Sequence, residues 1–207
     1  MKFLITAIVA LSASAPAYAD AFHGARVGIQ AGIESNKIDS AELFNGSGLG
    51  SVTVDKTRKS VATVGITLGY DSVLGDSFVV GGELAGTIST GGNRQTILFS
   101  SSPTTPVSVN YKSDYTFEAT LRAGFLVGEN TLLYARGGYA NSRLNADVTA
   151  NGLAVSSVRG NNNGYVVGAG VEHAFSDNVT ARIEYKHFEL KGPVTREQLL
   201  VGFGYGF

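Results

Sequence analysis

The chain has no cysteine and no tryptophan in its 207 residues. Without cysteine there can be no disulfide framework, thiolate metal site or cysteine nucleophile. Without tryptophan, any aromatic anchoring at a membrane interface falls to tyrosine and phenylalanine. Beyond the N-terminal leader, no apolar run approaches the roughly 20 residues a membrane-crossing helix needs. If the chain crosses a bilayer, it crosses as strands. Charge of one sign is also lacking: 16 Lys and Arg stand against 17 Asp and Glu, so there is no basic footprint for nucleic acid. The three histidines, His23, His173 and His187, have no ligand spacing and no cysteine to join them, and neither a metal nor a cofactor is expected.

What is present begins with an export signal. Met1 and Lys2 precede the apolar run Phe3 to Leu11, and Ser12 to Ala19 closes on the small-x-small pattern Ala17-Tyr18-Ala19. This predicts a signal peptide over 1–19, cut between Ala19 and Asp20, and one mature domain over 20–207. Glycine is abundant, 27 residues without a collagen-like period. In strands, such glycines make room for opposing side chains and let a sheet curve.

The mature chain reads as eight segments that alternate with a period of two. They cover about Ala25–Glu34, Ser60–Tyr70, Phe78–Ile88, Asp114–Phe125, Thr131–Asn141, Gly164–Phe175 and Val179–Phe188, and a last one that ends at Phe207. In the clearest, Tyr115, Phe117, Ala119, Leu121, Ala123 and Phe125 alternate with Asp114, Thr116, Glu118, Thr120, Arg122 and Gly124. Connections alternate as well. Asp71 to Ser77, Val127 to Asn130 and Ser176 to Asn178 are short, whereas Ser35 to Lys59, Ser89 to Ser113 and Ser142 to Asn163 are long and polar. Loops of that length are uncommon in a compact soluble domain, and short turns at one rim with long loops at the other describe an outer-membrane barrel. An even strand count places both termini at the periplasmic rim and the long loops outside. Ser47 to Val54 and Thr96 to Val109 carry β-branched and apolar residues suited to extending the hairpins above the membrane.

A soluble carrier barrel would enclose its apolar face. Here the opposite face collects Glu83, Glu118, Arg122, Arg136, Glu172, Arg182, Glu184 and Lys186. A lipid-facing Arg or Lys at the bilayer midplane costs about 2–4 kcal/mol, so these charges belong in the lumen. Eight strands enclose a space that side chains can fill. The expected architecture is an all-β, eight-stranded antiparallel up-and-down transmembrane barrel with a polar, side-chain-filled interior. Tyr70, Tyr115, Phe125, Tyr139, Tyr165, Phe175, Tyr185, Phe203 and Phe207 are the candidate interface anchors.

Several stretches carry a family resemblance: Phe78-Val79-Val80-Gly81-Gly82-Glu83, Leu121-Arg122-Ala123-Gly124, Leu132-Leu133-Tyr134-Ala135-Arg136-Gly137-Gly138-Tyr139, Gly168-Ala169-Gly170-Val171-Glu172 and Val201 to Phe207. Together they resemble the porin-family, OmpA-like (opacity-type) surface barrels of Gram-negative bacteria, especially alphaproteobacteria. The resemblance implies an outer-membrane location and a structural or surface-interaction role, with a small diffusion porin as the alternative. It also implies that Phe203, Tyr205 and Phe207 form a C-terminal signal read by the barrel assembly machinery. The implied partners are outer-membrane lipids and lipopolysaccharide, with a host or surface ligand at the loops, around a monomeric barrel. The chain departs from the family at its first strand, where His23-Gly24-Ala25-Arg26-Val27 replaces an aromatic-rich start.

Barrels of this size include lipid A deacylases with a His-x-Ser pattern on a late strand. Here that position reads His187-Phe188-Glu189, and without a hydroxyl beside the imidazole that acyl-transfer chemistry fails. No enzymatic activity is expected.

Overall fold

Among the described residues, ten strands form one antiparallel sheet: β1 (Gly24–Ile38), β2 (Thr53–Val54), β3 (Ser60–Leu74), β4 (Phe78–Ser89), β5 (Gly92–Leu98), β6 (Val107–Val127), β7 (Thr131–Ala150), β8 (Leu153–Ala174), β9 (Val179–Leu190) and β10 (Val194–Gly206). The computed structural model describes residues 21–38, 53–54, 60–90, 92–98, 107–128, 130–150, 153–191 and 194–207. Eight strands pair in the circular order β6-β4-β3-β1-β10-β9-β8-β7, and β7 returns to β6 to close the ring. Closure removes every edge from the wall, so backbone groups bond within the sheet, as a hydrocarbon surround demands. The first and last strands meet along the seam from Arg26↔Gly206 to Ile38↔Val194.

The short connections turn where glycine permits it, with Gly75 and Gly128 at φ of 65° and 69°. The rim they form also holds the ends of β1 and β10, where the Phe207 amide donates to the Ala25 carbonyl. On the other rim the described residues of the long connections continue as strand. β5 continues above β4 and pairs with β6 from Gly92↔Lys112 to Ile97↔Val107, and β2 adds to it. The stretch Ser142 to Asn163, expected as a loop, is instead a β7–β8 ladder that runs up to Ala150↔Leu153. Two strands already held in register by the barrel gain further hydrogen bonds without a new loop closure, so polar composition did not end them. Asp71, expected in a turn, lies within β3 for the same reason: β1 pairs it on one side, opposite Gly24, and β4 on the other, opposite Gly81.

The period of two sets sidedness throughout. Phe117, Leu121 and Ile183 face outward, Leu121 with 75% exposure, while Glu118, Arg122 and Arg182 are buried. All nine aromatic residues expected as interface anchors are exposed on the outer face.

Candidate functional site

The buried interior is stacked in layers along the barrel axis. Nearest the short turns, Ala21 and Phe22 precede β1 and tuck beneath the wall. Phe22 is 1% exposed and packs with Val79, Leu132, Tyr134 and Ala174. Above this apolar cap the ionic layers begin. Arg26 Nε lies 2.5 Å from Asp71 Oδ2, and Arg122 donates from Nε and Nη2 to the same carboxylate at 2.8 and 2.5 Å. Arg122 Nη1 also reaches Glu172 Oε2 at 2.6 Å, and Thr180 donates to Glu172 Oε1 at 2.7 Å.

Glu83 is the hub of the next layer. Its oxygens sit 2.7 Å from Arg26 Nη2, 2.8 Å from Arg136 Nη2 and 2.7 Å from Arg182 Nη1. Three guanidiniums from β1, β7 and β9 thus converge on one β4 carboxylate. Arg182 also donates to Gln30 at 3.1 Å. The Tyr134 ring lies beside Arg122 and Arg136, whose Cζ atoms are 5.0 and 5.8 Å from its centroid, and its hydroxyl donates to Glu184 at 2.5 Å. Two glycines clear this space. A Cβ at Gly81 would collide with the Asp71 carboxylate, and one at Gly170 would stand 2.6 Å from the Tyr134 hydroxyl.

Pairing becomes sparser toward the loops. Lys186 Nζ is 2.9 Å from Glu118 Oε2 and 3.3 Å from Glu184 Oε1. Higher still, Arg196 Nε approaches Glu34 at 3.4 Å and donates to Thr116 at 2.7 Å and Ser142 at 3.1 Å. Gln198 and Ser89 both donate to Glu34 Oε2. Beside them lies a second apolar cluster, Ala140, Val166, Phe188 and Leu190, with Arg196 over the Phe188 ring.

All eight charged residues singled out from sequence lie in this interior. Sequence reasoning left four more out of the network: Arg26, Glu34, Asp71 and Arg196. With them the described interior holds six cations and six carboxylates, all buried. An unpaired charge in such a low-dielectric space costs several kcal/mol, so the balance is a condition of folding. Glu118 and Lys186 are 0% exposed, which leaves no water-sized space against either. Chemically, the arrangement can fill and brace. The interior hydroxyls that meet carboxylates, Thr180 on Glu172 and Tyr134 on Glu184, are buried within the ionic network, and no cluster of metal-binding side chains occurs among the described residues. His187 sits half-buried on the outer face, in register with Val167 and Glu197. Ala19 and Asp20 lie outside the described residues, and Phe203 and Tyr205 on the outer face of β10, with Phe207 just past its end, are exposed.

A closed barrel with charge inside and hydrocarbon-like side chains outside has its natural solvent in lipid. The sequence model of the outer membrane protein beta-barrel domain matches residues 3–207. The chain belongs to that family. This outer-membrane barrel is therefore integral to the Gram-negative outer membrane, with its apolar band in the hydrocarbon. No curated protein sequence matches it significantly. Among solved structures, its fold is similar to Ail, the attachment invasion locus protein of Yersinia pestis, at 18% identity and a TM-score of 0.51, covering 89% of this chain and 99% of that one. Neisserial surface protein A matches at 16% identity and 0.55, covering 89% and 97%. The outer membrane protein OprG from Pseudomonas aeruginosa matches at 15% and 0.53, covering 90% and 98%. At these identities the likeness is one of fold.

Proposed function

We propose that this barrel is a closed, non-enzymatic element of the outer membrane, contributing to envelope structure and presenting its loop-side strands as a recognition surface. The observation that carries this reading is the interior itself, filled from the Phe22 cap to the Arg196 layer by paired side chains. Binding then belongs to exposed loops on a rigid scaffold. The eight sequence-derived charges act as a polar core in place of an apolar one. Phe203, Tyr205 and Phe207 serve as the strand signal read by the assembly machinery, export uses cleavage between Ala19 and Asp20, and the barrel works as a monomer in contact with lipopolysaccharide.

Conductance across a planar bilayer tests the closed interior. The expected result is no steady current from a preparation whose gel mobility shifts on boiling. Reproducible single-channel steps that change with Arg136→Ala or Glu118→Ala would overturn it in favour of a small diffusion porin. Incubation with lipopolysaccharide tests the absence of catalysis: altered acylation of the glycolipid would sink that part of the reading.

A further inference from the structure

The lipid-facing surface is unevenly ridged. One row of outward positions crosses five neighbouring strands in register: Phe203, Ile29, Ile66, Gly86 and Phe117. At Gly86 the place of a Cβ has no heavy atom within 4 Å, and Ala31 keeps the adjoining row low. The result is an apolar trough of about 920 Å³ bounded by the Phe203 and Phe117 rings. Five strands at about 4.8 Å spacing give it a length of roughly 19 Å, the reach of a long fatty acyl chain. Water cannot occupy such a surface favourably, and in the bilayer hydrocarbon must fill it.

Its loop-side end selects a leaflet. Phe117 and Tyr115, which also lines the trough, lie ten and twelve residues along β6 from its Val127 end, whereas Phe203 lies three residues from the Gly206 end of β10, so the trough descends from the loop side. Tyr115 stands in register with Arg143, an exposed cation on β7. A phosphate at headgroup level would meet that guanidinium favourably. A second depression, of about 910 Å³, lies on another part of the wall but reaches Phe78, Phe125 and Leu133 at the short-turn end.

We propose that the trough seats one acyl chain of a phosphorylated, multiply acylated glycolipid of the loop-facing leaflet, lipopolysaccharide, with its phosphate at Arg143. The assignment rests on the outer-membrane location and deepens the lipid contact proposed above into a defined site. The site is graded. Gly86 supplies the depth, Ile29 and Ile66 supply flanking contact, and Arg143 supplies the charge that separates this glycolipid from a neutral headgroup.

The experiment is native mass spectrometry of the barrel extracted from outer membranes in mild detergent, counting bound lipid. Wild type is expected to carry one glycolipid. Gly86→Phe, which fills the trough, should lower occupancy at least tenfold, and Arg143→Gln several-fold. Ala135→Phe, which fills the other depression, should leave it unchanged. Equal retention, or equal loss, in Gly86→Phe and Ala135→Phe overturns the site, as does phospholipid in place of glycolipid. Each variant is first shown to shift its gel mobility on boiling, and Gly86→Leu stands in if the phenylalanine blocks folding. Failure of wild type itself to shift would count against the barrel reading and not against the trough.

Discussion

The two halves of the barrel interior solve the same problem differently. Toward the short turns, carboxylates are shared: Asp71 serves Arg26 and Arg122, and Glu83 serves three arginines. Toward the loops, Glu118 makes its salt bridge with Lys186, and Arg196 bonds hydroxyls and lies against Glu34. Arginine explains the contrast, since its planar fork can bond several carboxylates at once where lysine presents a single point charge. A shared network cannot lose one member quietly. A single pair can be exchanged for something else.

Glu83→Gln should therefore have the largest effect. It leaves Arg26, Arg136 and Arg182 facing a neutral amide in a buried layer. Breaking a buried ion pair costs about 3–5 kcal/mol, and this change breaks three contacts. Urea unfolding from lipid vesicles is the measurement. A loss below about 1 kcal/mol would show that the layer is hydrated and the hub unimportant.

Lys186→Met comes next, at about 3 kcal/mol, because Glu118 loses its partner while Glu184 keeps Arg136 and Tyr134. The sharper test is the pair. Lys186→Met with Glu118→Gln should recover more than half the loss, since neutral replacements of a buried pair are often near neutral in cost. No second substitution should rescue Glu83→Gln as well. If both halves respond alike in a double-mutant cycle, the contrast between them is wrong.

Phe22→Ala should cost about 2–3 kcal/mol, at or below the low end of the roughly 3–5 kcal/mol for a buried aromatic, because Phe22 precedes β1 and its segment can lift away without breaking the ladder. The heat-shift midpoint would fall, and the backbone amides of Ala21 and His23 should exchange faster.

The sidedness of the wall was readable wherever one face was purely apolar and the other carried charge. β6 and β9 show this best: Glu118 and Arg122, like Arg182, Glu184 and Lys186, share a parity that admits only one placement. The same parity runs through Arg26, Gln30 and Glu34 in β1, and through Thr67 and Asp71 in β3. These partners escaped notice for different reasons. Asp71 has turn-like neighbours, Arg196 lies ahead of the clear alternation in β10, and Arg26 and Glu34 stand among small or uncharged residues. Local composition says where a strand could end, whereas pairing on both sides decides where it does end. The interior apolar groups were harder still. Val166, Phe188 and Leu200 sit on strands whose outer faces are apolar too, so periodicity carries no contrast there. Nor could parity reveal that three arginines meet at Glu83, because convergence depends on the curvature of the closed ring.

The smallest expected effect probes the loop-side half most finely. Thr116 accepts from Arg196 Nη1 at 2.7 Å and lies 3.1 Å from Ser142 Oγ. Thr116→Val keeps the shape and removes the oxygen. Arg196 retains Ser142 and Glu34, so the loss should be about 1 kcal/mol, that of a single hydrogen bond with the remaining partners in place. Were Thr116→Val to cost as much as Lys186→Met, the hydroxyls would be as indispensable as the ion pairs. The loop-side layers would then form a network as tightly shared as the arginines around Glu83, and the distinction between the halves would reduce to the chemistry of the acceptor.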